Sequence, residues 1–206
     1  GIGREFVHQI AKKEHLDEIW IIARRKNRLN ELKNEITGTV IRPIPLDLIK
    51  EESIESIAAL LKEEKPDVRI LVNASGFGKF STYKDLSLQE TNDMIDLNCK
   101  AAVNLTIITL PYMNKDARII EICSASAFQP LPGLNIYAAT KAFLYHYSRA
   151  LRWELFPRRI KVTAVCPDWV KTEFFKVAAD TKNGHTVKHF PFAVEPKNVV
   201  ACALFD

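Results

Sequence analysis

The chain of 206 residues is 47% hydrophobic and 26% charged, which is ordinary for a soluble globular protein and long enough to bury a sizeable core. Its net charge of +4 favours an anionic ligand but does not require a nucleic acid. Because we find no apolar run of membrane-spanning length, no signal peptide, no repeat and no linker, we expect one cytoplasmic domain over residues 1–206.

Four cysteines are spread widely through apolar segments, at Cys99, Cys123, Cys166 and Cys202, and no CxxC pair exists. This pattern favours buried free thiols in a reducing cytosol. It argues against a zinc site, so we expect no bound metal.

Short apolar segments alternate with helical patterns along the chain. A first helix follows Gly1, with apolar positions at Ile2, Phe6, Val7 and Ile10. The predicted strands cover residues 19–23, 39–45, 69–73, 117–123 and 160–165. The later predicted helices cover residues 29–36, 53–64, 87–112, 134–156 and a last segment that begins at Pro196. This order predicts an α/β fold of Rossmann type, a doubly wound parallel sheet with helices on both faces.

Residues 172–193 have no clean period and mix polar residues with Phe174, Phe175, Phe190 and Phe192. Long irregular segments in compact domains are usually functional or disordered, so we expect a mobile lid over the ligand-binding edge. For residues 172–180 alone, a pair of short surface helices is an equally good interpretation.

Candidate ligand residues gather where predicted strands end. Because ligands of such sheets bind outside the carboxyl ends of the strands, these positions are expected to share one edge. The candidates for cofactor binding are Gly1, Ile2, Gly3, Arg24, Arg25, Asp47, Leu48, Asn73, Ala74, Ser75, Gly76, Pro167, Val170 and Thr172.

The cofactor type follows from two of these places. Gly1 and Gly3 enter a helix, where backbone amides can approach a pyrophosphate, although a glycine turn for packing is the alternative. In dinucleotide-binding folds, an acid at the end of the second strand binds the ribose of NAD. Here that place follows the predicted strand 19–23, and Arg24 and Arg25 occupy it. Guanidinium groups bind phosphate, so the pair favours NADP(H) over a merely solvated basic surface.

The catalytic candidates are Ser124, Tyr137 and Lys141. Tyr137 and Lys141 are four residues apart, on one face of the predicted helix, and Ser124 leaves the end of a predicted strand. A lysine beside a phenol should lower the phenol pKa, so Tyr137 could exchange a proton near neutral pH. Alone, the pair would more often be a half-buried ring beside a solvated cation.

Asn98 lies among apolar neighbours on the predicted helix 87–112. A buried amide must find hydrogen-bond partners. It is either a polar lock between helices or part of a relay behind Lys141.

These motifs together resemble the short-chain dehydrogenase/reductase family over essentially the whole chain. Gly1-Ile2-Gly3 resembles the end of Thr-Gly-x-x-x-Gly-x-Gly, residues 73–76 resemble Asn-Asn-Ala-Gly, and residues 167–172 resemble Pro-Gly-x-Val-x-Thr. Asn98, Ser124, Tyr137 and Lys141 are similar to the catalytic tetrad, with spacing that selects Ser124 over Ser126.

The chain departs from the pattern of this family at several positions. Ala74 and Ser75 alter the strand-end turn, and Asp168 replaces the usual glycine. It implies a first strand before Gly1, central in the sheet between residues 19–23 and 69–73, and a final strand after Asp206. We therefore expect the 206 residues to be truncated at both ends, and to bind the cofactor poorly in that form.

The sequence thus predicts an NADP(H)-dependent oxidoreductase that interconverts a carbonyl and an alcohol. The resemblance implies that Lys141 also binds the nicotinamide ribose, and that the protein is a homodimer or homotetramer. We expect the interface on the two long predicted helices, through Ala101 and Ala102 of helix 87–112 and through Phe143, Tyr147, Leu151 and Leu155 of helix 134–156. The alternative is that these residues pack only on the sheet.

A set of apolar residues that could line a pocket suggests a small apolar or aromatic substrate, and the alternative is that several of them belong to the core: Phe77, Phe80, Phe128, Leu131, Trp169, Phe174 and Phe175. The alternative is a dinucleotide-binding sensor or scaffold without turnover. A nucleic-acid partner is not expected, because no aromatic residues interleave the basic run 24–28.

Overall fold

Parallel strands and helices alternate in the computed structural model, which describes residues 1–181, 187 and 189–205. The strands are β1 Glu18–Ala23, β2 Val40–Pro45, β3 Ile70–Asn73, β4 Arg118–Ile122 and β5 Lys161–Val165. Each strand lies within one residue of its predicted bounds. The agreement arises because the helices bury these strands, so each strand is marked in the sequence by an apolar run.

The α-helices connect these strands in sequence. They are α1 Ile2–Lys13, α2 Lys26–Glu35, α3 Glu51–Glu64, α4 Leu88–Ile95, α5 Ala101–Thr109, α6 Asn135–Glu154, α7 Phe174–Ala179 and α8 Pro196–Ala203. Ser87 and Glu90 form a complete capping box at the start of α4. A π-helical turn, Asp96–Lys100, joins α4 to α5, which the sequence pattern did not indicate.

The strands pair in two parallel groups. β1 pairs with β2, and β4 lies between β3 and β5. In the described part of the chain β1 and β3 share no ladder, and their side chains face a common cavity.

Helices cover both faces of the β3–β5 group. On one face, Phe6 and Ile10 of α1 and Val200 of α8 pack against Ile120 and Ile122 of β4. On the other face, residues of α5 and α6 cover the side chains of β4 and β5. This layering places the carboxyl ends of all the strands at one open edge.

The segment expected to be a lid is only partly described. α7 forms a short helix within it, and Val170 bridges to Val194 in parallel. Residues 182–186 and 188 of that segment lie outside the described residues. In the residues that are described, no helix has both the length and the apolar content that a membrane span needs.

Candidate active site

Ser124 is held at the point where β4 ends. Its hydroxyl oxygen accepts a hydrogen bond of 3.1 Å from the N–H of Ser126, in a short 3₁₀ turn. The next N–H, that of Ala125, donates to the carbonyl of Pro167 at 2.9 Å. The turns after β4 and β5 are therefore tied together, and Ser124 has a fixed orientation.

Helix α6 brings Tyr137 to Ser124. The Ser124 hydroxyl is near enough to the Tyr137 phenol to act to lower the pKa of that phenol. The Lys141 ammonium lies one turn along the same helix, 5.8 Å from the centre of the Tyr137 ring. The three predicted catalytic side chains are thus brought together.

The expected effect of Lys141 on Tyr137 is wrong for this structure. Burial raises the pKa of Tyr137 to about 12, although the Ser124 hydroxyl acts to lower it. Lys141 is itself buried, and burial lowers its pKa. Its Nζ donates to the carbonyl oxygen of Ile122 at 2.6 Å. The pKa of a half-buried phenol beside a desolvated amine is lowered less by the cation than the spacing suggested.

Asn98 joins the loop after β3 to α6. Its Oδ1 accepts from the N–H of Phe77 at 3.0 Å, and its Nδ2 donates to the Phe77 carbonyl at 2.9 Å and to Thr140 Oγ1 at 3.0 Å. The side chain is 1% exposed and acts as the polar lock. The relay behind Lys141 stays a prediction.

Two glycines make room for these groups. A Cβ built on Gly76 would lie 2.9 Å from Asn98 Oδ1 and 3.4 Å from Lys141 Nζ. A Cβ on Gly78 would lie 2.8 Å from Cδ2 of Tyr137 and 2.9 Å from Cζ of Phe174. The loop backbone therefore touches the catalytic side chains directly, and larger residues would displace them.

The start of α1 forms a cradle of the kind that a pyrophosphate needs. A Cβ on Gly3 would meet Cβ of Ala74 at 3.3 Å, and one on Gly1 would meet Cβ of Thr172 at 4.0 Å. The first turn of a helix presents unpaired N–H groups at its positive end. Gly1, Gly3, Ala74 and Thr172, predicted from separate motifs, therefore converge on one place that fits a dinucleotide phosphate.

The predicted phosphate arginines lie at the end of β1. Arg24 is 65% exposed, and its nearest carboxylate oxygen, on Asp47, is 4.0 Å away. Arg25 binds the Glu173 carboxylate at 3.2 Å, and Arg28 binds the same carboxylate at 2.5 Å. Of the predicted pair, Arg24 is the more weakly engaged and the better placed to receive a phosphate.

The remaining predicted residues divide between the edge and the interior. Asp47, Ser75, Pro167 and Val170 line the cavity that runs along the strand ends. The side chains of Ile2 and Leu48 pack in hydrophobic clusters, so they meet the edge through their backbone. The Asn73 amide turns inward, where it donates to Glu121 at 2.7 Å and to Thr106 at 3.0 Å.

An aromatic cluster stands beside Tyr137. Its members are Phe80, Trp169, Phe174, Phe175 and Phe190, with ring-centre separations of 4.1–6.3 Å. Phe174 lies 5.2 Å from the Tyr137 ring, whereas Phe80 is completely buried and belongs to the core. Phe128, also expected near the substrate, instead packs against Tyr145 and is 60% exposed.

Residues of β1 and β3 line the same cavity as these residues. Within the described residues, His, Cys, Asp and Glu side chains form no group of three or more that could hold a metal ion.

Comparison with known proteins agrees with this geometry. The family model described as short chain dehydrogenase matches residues 1–183. The chain belongs to the short chain dehydrogenase family. It is therefore an oxidoreductase, and the predicted family and enzyme class are confirmed.

Two curated relatives of this dehydrogenase share 32% identity with it. Sulfoacetaldehyde reductase 2 of Chromohalobacter salexigens matches over 182 residues, covering 84% of this chain and 70% of that protein. The NADP-dependent 3-hydroxy acid dehydrogenase of Escherichia coli O6:H1 matches over 206 residues, covering 97% of this chain and 82% of that protein.

A solved structure shows the same fold. A short-chain dehydrogenase from Sphingobium yanoikuyae, in complex with NADPH, superposes on all of this chain and 79% of that one. The TM-score is 0.88 at 27% identity. The predicted Rossmann-type fold is confirmed.

The dehydrogenase also contains site features that the sequence analysis missed. Glu121 on β4 is fully buried, and its Oε1 accepts hydrogen bonds from Asn73 and from Thr106. Burial raises its pKa to about 7. The sequence did contain a signal for Glu121, because it is a lone acid inside the apolar run 118–123. The sequence contains no comparable signal for Gly78 and Thr140, because their roles depend on contacts with distant parts of the chain.

Proposed function

We propose that this dehydrogenase interconverts a carbonyl and an alcohol, using NADP(H) bound by a single domain. The observation that carries the proposal is the Ser124 hydroxyl beside the Tyr137 phenol, with the buried Lys141 ammonium one helical turn away. A protein that only binds the dinucleotide has no need of a phenol, a hydroxyl and an ammonium at one place.

NADP(H) is supported by Arg24 at the end of β1 and by the absence of an acid at that place in the sequence. One relative is named as NADP-dependent, and one structural neighbour is a complex with NADPH. The phosphate cradle of Gly1, Gly3 and Thr172 fits the pyrophosphate, and when bound the cofactor supplies the hydride.

The proposed roles of the chain's own residues follow from their positions. In the reductive direction Tyr137 donates its proton to the carbonyl oxygen, and the Ser124 hydroxyl holds that oxygen by a hydrogen bond. Lys141 lies one helical turn from Tyr137 and binds the nicotinamide ribose. Asn98 fixes the loop carrying Phe77 against α6, and it anchors the proton relay.

The substrate side of the site is apolar. Phe174 lies between Tyr137 and the rest of the aromatic cluster, Trp169 packs on Phe175 within that cluster, and both Phe174 and Trp169 line the cavity. Such walls favour a small apolar or aromatic carbonyl compound over a strongly polar one.

Turnover assays test this proposal against a sensor or scaffold. NADPH consumption would be followed with a panel of aliphatic, aromatic and polar aldehydes and ketones. We expect turnover with apolar or aromatic members and a marked preference for NADPH over NADH. NADPH binding without turnover of any member would favour the sensor.

We also propose a cytoplasmic homodimer or homotetramer. The expected interface needs correction, because Ala101, Ala102, Leu151 and Leu155 are buried in the chain's own core. Large side chains that remain exposed on α5, α6 and the turn after α6 are Ile107, Phe143, Trp153 and Phe156. These are the better candidates for contact with a second copy.

A further inference from the structure

Two cysteines stand side by side beneath the catalytic serine. Ile122 of β4 is in register with Val165 of β5, and the N–H of Cys123 donates to the Val165 carbonyl at 2.8 Å. The next pair in this parallel register is therefore Cys123 and Cys166. Residues paired across neighbouring strands project to the same face of the sheet.

The packing places both thiols in one cluster. Cys123 packs with Ala102 and Leu144, and Cys166 packs against that cluster. Neighbouring strands lie about 4.7–4.9 Å apart, and disulfides join Cα atoms about 4.4–6.8 Å apart. The pair can therefore be bridged with little movement of the backbone.

The surroundings make Cys166 the more reactive of the two. The neighbouring Cys123 thiol, the Ser124 N–H and the Lys141 cation act to lower the pKa of Cys166. The Cys166 thiol donates to the carbonyl oxygen of Ala164 at 3.8 Å. Cys166 is partly exposed, whereas Cys123 is 2% exposed, and the neighbouring Cys166 together with burial raises the pKa of Cys123. Reactive cysteines are typically thiolates in electropositive, accessible surroundings.

The other two cysteines lack this combination. Burial raises the pKa of Cys99 to about 11. Cys202 is exposed on α8, and no other cysteine adjoins it in sequence. The expectation that all four thiols are buried is thus wrong for Cys166 and Cys202. Cys202 lies on the solvent side of α8, opposite the buried Val200 and Ala203, and Cys166 follows the end of β5.

We propose that Cys166 and Cys123 form an oxidisable dithiol, with Cys166 as the thiolate that attacks a small-molecule disulfide and Cys123 as the resolving thiol. In the first step the Cys166 sulfur bonds to one sulfur of the small disulfide, and the other sulfur leaves as a thiolate. In the second step the Cys123 sulfur attacks Cys166, and its proton goes to the departing second thiolate. The thiolate released in the first step takes up the proton that Cys166 lost on ionising. Overall the two cysteine thiols lose two hydrogen atoms, and the small disulfide is reduced to two thiols.

This bridge would act directly on the site. Cys166 precedes Pro167, whose carbonyl oxygen accepts the N–H of Ala125, and the N–H of Cys123 donates to the carbonyl of Val165. A bridge between Cys123 and Cys166 therefore moves the turn that carries the serine. The thiol chemistry itself does not depend on the proposed function.

The test treats the whole folded protein with oxidised glutathione, blocks the remaining thiols with iodoacetamide and maps non-reduced peptides by mass spectrometry. We expect a cross-linked peptide joining Cys123 to Cys166, which dithiothreitol separates. In Cys123→Ser the reaction should stop with glutathione attached to Cys166. In Cys166→Ser, Cys123 should remain unmodified, and Cys202→Ser should behave as the wild type.

Each other result would overturn the inference. Glutathione on Cys202 alone, with Cys123 and Cys166 alkylated only after unfolding, would show that the pair is unreactive. A stable glutathione adduct on Cys166 of the wild type, without a cross-link, would remove the resolving role of Cys123. If Cys123→Ser does not fold, the wild-type peptide map decides alone.

Discussion

Lys141 Nζ donates a 2.6 Å hydrogen bond to the carbonyl oxygen of Ile122, two residues before Ser124. This bond attaches α6 to the end of β4, in addition to the packing of Leu144 against Cys123. The separation between the phenol of Tyr137 and the hydroxyl of Ser124 is therefore set by the contact between a helix and a strand. Sites built on such rigid elements hold their geometry better than sites on loops.

Replacing Tyr137 by Phe removes the proposed proton donor but keeps the ring that packs on Phe174. We expect kcat to fall by about 10²–10⁴-fold, as is typical for loss of a general acid, while the Kd for NADPH changes little. Steady-state kinetics and fluorescence titration measure the two. Tyr83→Phe, at a tyrosine that is 75% exposed, is the control and should match the wild type. A Tyr137→Phe enzyme that keeps more than half its rate would exclude the phenol as the acid.

The raised pKa of Tyr137 sets the direction of the pH dependence. Burial raises it from 10 to about 12, so the folded protein holds this proton more tightly than the unfolded chain does. The proton is present throughout the neutral range and is lost as the pH approaches 12. Reduction should therefore be insensitive to this group near neutral pH, whereas alcohol oxidation, which needs the phenolate, should accelerate as the pH rises. Rates in both directions across the pH range measure this.

Changing Arg24 to Asp should shift the cofactor preference from NADPH towards NADH. It removes a phosphate partner and adds repulsion against the phosphate. Hydrogen bonds to charged groups contribute about 1.5–3 kcal/mol, so the ratio of kcat/KM values should change by roughly 10- to 100-fold. Lys33→Asp makes the same charge change on the exposed side of α2 and should leave the ratio unchanged. An unaltered ratio of kcat/KM values in Arg24→Asp would contradict the role of Arg24 and would indicate Arg25 or Arg28 as the phosphate partner.

Replacing Gly78 by Ala places a methyl group against the Tyr137 ring. The 2.8 Å separation from Tyr137 Cδ2 is too short for a carbon–carbon contact, so the ring or the loop must move. Overpacking of this kind costs about 1–3 kcal/mol. We expect a lower kcat together with a lower midpoint of thermal unfolding, measured by kinetics and calorimetry. A variant with wild-type kcat would show that the Tyr137 position is not critical.

The strands and the catalytic spacing could be read from the sequence because each depends on local pattern. Apolar runs between polar turns mark the five strands, and the four-residue step from Tyr137 to Lys141 is a property of any helix. The edge of a parallel sheet then brings Ser124 and Gly3 to the same side of the molecule.

The pKa shifts, the burial of individual side chains and the helical irregularity could not be predicted from the sequence in the same way. The pKa of Tyr137 depends on how completely other elements desolvate its ring, and the burial of Leu151 depends on what covers α6. The π-helical turn that carries Asn98 departs from helical geometry without any glycine or proline to mark it. Such features arise only when the elements pack.

Phe143→Glu tests self-association through the exposed side of α6. Phe143 is 50% exposed and stacks on Tyr147 of the next turn, at 6.4 Å between ring centres. A charge placed in an apolar interface is costly, so we expect the assembly to dissociate towards the monomer. Light scattering at micromolar concentration measures the mass. Tyr83→Glu is the control, since that exposed ring lies outside α6. A wild type that is already monomeric would contradict the proposed interface.

The stability of the Glu121→Gln variant relative to the wild type should increase as the pH rises. Burial raises the Glu121 pKa from 4.5 to about 7, so the folded state favours the protonated acid. The stability that this proton contributes is present below about pH 4.5 and is lost as the pH rises through about 7. The shift corresponds to a loss on the order of 3 kcal/mol, which the neutral glutamine avoids. Urea unfolding at about pH 5 and about pH 8 measures the free energy of unfolding of both proteins. Glu31→Gln, at an exposed carboxylate on α2, should show no pH-dependent difference from the wild type. An equal difference between Glu121→Gln and the wild type at both pH values would show that Glu121 keeps an ordinary pKa in the folded protein.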